Sequence, residues 1–205
     1  MIAIIDYGVG NLFSLSGSLR HLGIAAGVTA DPAQIGAAEK VILPGVGAFG
    51  DAMDKLRERG LVKVLNSFVQ SGRPLLGICL GMQLLFECGY EFGVHEGLGY
   101  LEGSVHPLAL DIPADLKVPH MGWNSLKLIK PKDPLLRYTK EGDCVYYVHS
   151  FYAKGCEKSV TAGSDYGVLV PGAVHGGNVY GTQFHPEKSG ATGLAMLRAF
   201  AEIKA

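Results

Sequence analysis

The sequence predicts an α/β fold with a mixed sheet that is parallel at its centre and takes antiparallel additions in its C-terminal half. Three observations point there. Short apolar runs alternate with amphipathic stretches through residues 1–86, as in consecutive βαβ units. From residue 118 onward, strand-like runs follow one another with little helix between them, the pattern of antiparallel strands. The chain also holds 29 glycines in 205 residues, about twice the usual share, which implies many tight turns and close backbone approaches.

Each element follows from its residues. Ile2 to Ile5 is a first strand that stops at Asp6-Tyr7-Gly8. Asn11 can cap a helix carrying Leu12, Leu15, Leu19 and Leu22 at helical spacing. Ile24 to Thr29 is a second strand, and Lys40 to Leu43 a third, ended by PGVGAFG. Asp51 to Arg59 and Leu61 to Val69 are helical, with Gly72 closing the pattern. Pro74 to Ile78 is a fourth strand and Leu80 to Phe86 a helix. The later strands are Val118 to Ile129, Cys144 to Ala153, Ser159 to Ser164, Gly167 to Val170 and Asn178 to Phe184, before a last helix over Thr192 to Ile203. No repeat or Pro/Ser linker divides the chain, so residues 1–205 are expected to form one domain.

Composition narrows the function classes. Hydrophobic residues make up 48% and charged residues 18%, which marks a folded chain. A formal net charge of -1 supplies no field for nucleic acid or an anionic membrane. No apolar run reaches the roughly 18 residues of a membrane span; Pro74 to Phe86 is interrupted by glycines and Gln83. The N-terminal MIAIIDYG has neither a cationic leader nor a cleavage site, so a cytoplasmic location is expected. Cys79, Cys88, Cys144 and Cys156 form no C-x-x-C pair, which favours reduced thiols over a zinc site. No metal and no cofactor is expected.

The sharpest local feature is Gly77-Ile78-Cys79-Leu80-Gly81. It has the form of a nucleophile elbow between a strand and a helix, where a Cβ at either glycine would clash. Such a turn lifts the thiol to the carboxyl edge of the sheet, where open α/β sheets bind ligands. The dipole of the following helix would favour thiolate. Taken alone, the pattern fits a buried small hydrophobe equally well. A base is available in Gln183-Phe184-His185-Pro186-Glu187. In extended chain Glu187 lies on the same side as His185 and can fix its tautomer. Oxyanion donors are available in the Leu80 amide and in the loop Pro44-Gly45-Val46-Gly47, with Val46 and Gly47 as candidates.

Other motifs fit less well. Gly45 to Gly50 matches G-x-G-x-x-G but follows the third strand, opens with proline and has no acidic residue ending the next strand. His185-x-Glu187 lacks the P-C-x-x-C half of a zinc deaminase. There is no G-K-[ST] P-loop, and His95-Glu96 lacks the second histidine of a zincin. His21, His106, His120, His149 and His175 have no close ligand spacing and read as polar or partly buried. A stand-alone cysteine hydrolase and a non-catalytic binding domain both remain open on these residues alone.

PGVGAFG, GICLGMQ, YYVHSFYA and QFHPEKS together resemble class I glutamine amidotransferases over essentially the whole chain. PGVGAFG, VPHMGWN at 118–124 and FHPEKS narrow the resemblance to glutaminase subunits that serve histidine biosynthesis. The resemblance implies an open, flavodoxin-like sheet and hydrolysis of the glutamine side-chain amide by Cys79, His185 and Glu187. It implies that Gln83, Glu91, Ser150 and Phe151 hold glutamine, the last two partly through backbone atoms. It also implies a (β/α)8-barrel cyclase partner that joins the ammonia to a phosphorylated ribulosyl nucleotide. The products would be imidazole glycerol phosphate and an aminoimidazole carboxamide ribotide. Trp123, Asn124, Tyr146 and Lys188 lie in motifs resembling the contact face and ammonia passage. Without the resemblance, Trp123 reads as a core aromatic.

Overall fold

The computed structural model describes residues 1–204. Strands β1 (Ile2–Ile5), β2 (Ala26–Thr29), β3 (Lys40–Gly45) and β4 (Leu75–Cys79) form the parallel part of an eight-stranded sheet. β14 (Val179–Thr182) lies parallel to β4 on its other side. Beyond it, β13 (Leu169–Gly176), β12 (Val160–Asp165) and β9 (Lys127–Leu128) are antiparallel, giving the order β2-β1-β3-β4-β14-β13-β12-β9.

Alternation along the strands sorts side chains onto two faces. Ala3, Ile5, Val41 and Leu43 join a core with α2 (Pro32–Ala37), α3 (Phe49–Glu58) and α4 (Leu61–Gln70). Ile2, Ile4, Ile42, Leu76 and Ile78 join the opposite core with α1 (Leu12–His21) and α6 (Gly190–Glu202). A third cluster, including Tyr147, Val170 and Phe184, fills the space under the antiparallel half. Asn11 caps α1 by accepting the Ser14 N–H at 3.4 Å. Asp31 caps α2 with Pro32 at its first position.

Several expectations need correction. The antiparallel strands do not all extend one sheet: β8 (His120–Ser125) and β10 (Cys144–His149) pair separately. β5 (Phe86–Gly89), β6 (His95–Glu96), β7 (Leu101–Pro107) and β11 (Phe151–Lys154) make a third sheet. The helix expected over Leu80 to Phe86 is one turn, α5 (Leu80–Gln83), because Phe86 pairs with Leu101 in β7. A short apolar run carries no periodicity that separates buried strand from helix. The run Val118 to Ile129 is two strands, β8 and β9, divided at the buried Leu126. The run Cys144 to Ala153 breaks at Ser150, with β10 pairing to β8 and β11 to β7. α2 and the strands of the third sheet inside 86–107 had no counterpart in the sequence reading.

β3, β4 and β14 are parallel neighbours, so their carboxyl ends emerge side by side. Gly45 is opposite Cys79, and Thr182 is opposite Ile78. The PGVG loop, the cysteine turn and the Gln183–Glu187 segment therefore meet at one edge.

Candidate active site

Cys79 sits at φ +55°, ψ −112°. A left-handed φ in a residue with a Cβ costs on the order of 1–3 kcal/mol and persists only where the surroundings enforce it. They do so here through glycine. A Cβ on Gly77 would come 2.6 Å from the Gly81 carbonyl oxygen, and one on Gly81 would come 1.8 Å from the Leu43 oxygen. On Gly45 it would meet the Gly81 nitrogen and the Tyr7 hydroxyl at 2.8 Å. The turn is packed against the end of β3 so closely that only hydrogen fits at these three positions.

The thiol is 7% exposed and faces a cavity of about 310 Å³. The wall of this cavity includes Val46, Gly47, Leu80, Gln83, Glu91, Ser150, Phe151 and His185. Every glutamine-holding and oxyanion candidate is thus in one pocket. The volume is at the small end of ligand sites and suits a single amino acid.

His185 Nδ1 donates to Glu187 Oε1 at 2.9 Å, and both side chains are buried. Nδ1 is therefore the protonated nitrogen whenever the ring is neutral, which leaves Nε2 free to act on the sulfur. Burial lowers the His185 pKa, but hydrogen bonds and charge from Cys79 and Glu187 outweigh it and push the value to about 9. Glu187 Oε2 is buried with no hydrogen-bond partner among the described residues, and the carboxylate bonds to the imidazole through Oε1. Because α5 is a single turn, its end dipole is small; the polarisation of the sulfur rests on His185 more than the sequence suggested.

Two residues that sequence reasoning passed over stand at the site, Gln183 behind the pocket wall and His149 in it. Gln183 is fully buried, and its Nε2 approaches Cys79 Sγ at 3.8 Å. Its Oε1 accepts from Gln83 Nε2 at 3.0 Å, and the same Gln83 nitrogen donates to the Phe151 carbonyl at 2.9 Å. His149 also lines the pocket; its Nδ1 donates to that carbonyl at 2.9 Å. Its Nε2 must then accept from His120 Nδ1, 2.9 Å away. Burial depresses these two imidazoles, His120 to about 4 and His149 to about 3, so both are neutral near pH 7. Gln183 stood inside the QFHPEKS motif, but nothing in its letters separates a pocket amide from a strand residue.

Trp123, Tyr146 and Lys188 lie beside the His185 turn, whereas Asn124 faces the other side of β8, toward His120 and Asp165. Trp123 is 59% exposed, which overturns its reading as a core aromatic. Among the described residues β8 pairs with β10 alone, and the Trp123 side chain is left largely open. Tyr146 meets it edge-on at 6.1 Å, and the Tyr146 carbonyl accepts the His185 N–H at 3.1 Å. Lys188 is exposed on the turn after Glu187, and Asn124 donates to the Asp165 carbonyl at 3.0 Å.

An alkaline limit follows from His185. The ring keeps the proton needed by a departing amine until pH approaches about 9. A pH profile of amide hydrolysis is expected to fall above that value. Glu187→Gln removes one of the interactions that raise it, so the limb moves down toward the ordinary imidazole range, with kcat lower by about 10²-fold or more. An unmoved limb would remove Glu187 from the chain of proton control.

Comparison with known proteins gives a consistent result. The family model described as glutamine amidotransferase class-I matches residues 3–203. An imidazole glycerol phosphate synthase subunit HisH from Rhodopirellula baltica is 48% identical over 98% of this chain and 97% of its own. A Bacillus cereus HisH subunit is 51% identical over 98% and 93%. Among solved structures, one described as a glutamine amidotransferase superposes with a TM-score of 0.76 at 20% identity over 98% of each chain. The Thermotoga maritima PurLQS structure gives 0.75 at 19% identity, covering 97% of this chain and 96% of that one. The structural likenesses speak for the fold, and the sequence matches speak for ancestry: the chain belongs to the class I glutamine amidotransferases, within the HisH subunit family of imidazole glycerol phosphate synthase.

Proposed function

We propose that the chain is the glutaminase subunit of imidazole glycerol phosphate synthase, making ammonia for a cyclase partner in histidine biosynthesis. One observation carries this: Cys79, strained on its turn, shares a pocket of single-amino-acid size with His185, whose Nδ1 is held by Glu187. Cys79 Sγ attacks the amide carbon of glutamine. The oxyanion that forms is met by the Leu80 amide and a donor from Val46–Gly47, which line the same pocket. His185 passes its proton to the amide nitrogen, the C–N bond breaks and ammonia leaves. Water activated by His185 then opens the thioester, releasing glutamate and returning the thiol. Gln83, Glu91, Ser150 and Phe151 hold the rest of the substrate.

Ammonia is mostly protonated in neutral water and is then no nucleophile, so a glutaminase gains from delivering it directly. The exposed Trp123 and Lys188, with the half-buried Tyr146 between them and Asn124 next along β8, support docking of a (β/α)8-barrel cyclase. The reading includes a cytoplasmic heterodimer, and no described helix is long and apolar enough to cross a membrane. The test mixes chain and cyclase with glutamine and the ribulosyl nucleotide. Glutamate is expected in step with imidazole glycerol phosphate; a cyclase that gains no glutamine-dependent activity overturns the assignment. Aromatic anchors at interface centres often contribute 2 kcal/mol or more, so Trp123→Ala is expected to weaken association by about thirtyfold. Unchanged affinity by calorimetry would move the docking surface elsewhere.

A further inference from the structure

Glu91 lines the pocket, yet its Oε2 accepts the backbone N–H of Phe49 at 2.8 Å. Phe49 is the first residue of α3. Helix starts carry N–H groups with no partner inside the helix, and Ala48 at the N-cap position makes no side-chain cap bond. Glu91 supplies the acceptor from 42 residues away, so the cap is a tertiary clamp. The chain on either side of Glu91 reinforces it. The Phe49 ring packs over Gly89, 2.6 Å from where a Cβ would sit, and the His95 ring lies equally close to Gly50.

The residues just upstream are held far less. Val46 is 43% exposed, and Gly47 adopts φ +97° with no atom within 4 Å of a Cβ built there. At the other end of the loop the Tyr7 hydroxyl donates to the Pro44 carbonyl at 2.8 Å. The loop with the candidate oxyanion donors is therefore suspended between Tyr7 at Pro44 and Glu91 at Phe49.

We propose that Glu91 is a positioning residue for the oxyanion loop as well as a substrate contact. One carboxylate oxygen anchors the downstream end of the loop. The other, which has no hydrogen-bond partner among the described residues, receives the α-ammonium of glutamine. The oxyanion donor is thereby set at a fixed distance from the amino end of the substrate. This inference rests on the glutaminase reading. The two jobs separate by substitution. Glu91→Gln keeps an acceptor for the Phe49 N–H and loses the charge. Glu91→Ala loses both.

The experiment uses the full chain in complex with its cyclase. The substrates are glutamine and glutaric acid monoamide, which is glutamine without its amino group. With glutamine, E91Q is expected to raise KM about tenfold while kcat stays within about threefold, the mark of lost ground-state binding. E91A is expected to lower kcat by a further tenfold or more, since a misplaced donor forfeits transition-state stabilisation. With the monoamide, E91Q matches the wild type and E91A keeps its kcat loss. Backbone amide exchange across 46–52 is expected to quicken in E91A and not in E91Q. Equal kcat in the two variants, or unchanged exchange in E91A, overturns the clamp. A wild-type complex that releases no glutamate overturns the glutaminase reading instead, and the exchange comparison still decides the clamp.

Discussion

Cys79→Ala is expected to abolish glutamine-dependent synthesis by the complex while ammonia-dependent synthesis stays within about twofold of wild type. Removing the nucleophile of a triad costs roughly 10⁴-fold or more, because the remaining members then have no bond to make. Here the loss is chemical and not structural. The side chain is 7% exposed, and the change deletes one sulfur atom whose contacts include the Val148 carbonyl at 4.0 Å, Gln183 at 3.8 Å and the imidazole of His185, none of which holds the turn together. The backbone strain at φ +55° is the same for alanine. None of Trp123, Asn124, Tyr146 and Lys188 depends on the sulfur, so the proposed docking residues are preserved and added ammonia is expected to serve the partner. The assay measures product with each nitrogen donor at high pH, where free ammonia is available. Equal loss of both activities would mean that this chain does not confine its chemistry to amide cleavage.

The parts of this site visible in the sequence were those set by local rules. G-x-C-x-G announces a turn that excludes Cβ atoms, and the close approaches at Gly77 and Gly81 leave room for none. His185 and Glu187 do meet, as their spacing suggested, but not along an extended segment: Pro186–Lys188 turn as a 3-10 helix, and the contact is made across that turn. The family resemblance supplied Gln83, Glu91, Ser150 and Phe151, and all four line the pocket. What stayed hidden depends on pairing across the chain. Ser150 marks a switch between two sheets, yet Cys144 to Ala153 reads as one unbroken apolar alternation. The Glu91 clamp joins residues 42 apart, and the neutral pair His120–His149 owes its state to burial that only the assembled sheets create. Trp123 was misread for the opposite reason: an aromatic on a strand is normally covered, and here the described residues leave it 59% exposed.

The second large effect is expected from Gly81→Ala, which changes no reacting atom. Gly81 is helical and not left-handed, so alanine is compatible with its backbone and would ordinarily add about 1 kcal/mol of helix stability. Space decides the outcome against that gain. The new Cβ would lie 1.8 Å from the Leu43 carbonyl oxygen and 2.8 Å from its carbon, both backbone atoms of β3 that cannot rotate away. Relief requires α5 and β3 to separate by more than an ångström, across a junction so tight that a Cβ on Gly45 would likewise meet the Gly81 nitrogen at 2.8 Å and the Leu80 Cβ at 2.9 Å. Overpacking of this kind costs typically 1–3 kcal/mol where side chains can adjust, and more where they cannot. A loss of about 3 kcal/mol lowers Tm by roughly 6–12 °C in a chain of this size. The separation also carries Pro44–Gly45 away from Cys79, so the folded fraction should hydrolyse glutamine poorly too. Gly17→Ala is the matched control: it lies in α1 with no atom within 4 Å of a Cβ and should melt at or slightly above the wild-type temperature. If G81A melted with the control and kept wild-type glutaminase activity, the cysteine turn would not be wedged against β3. The strain at Cys79 would then need another cause.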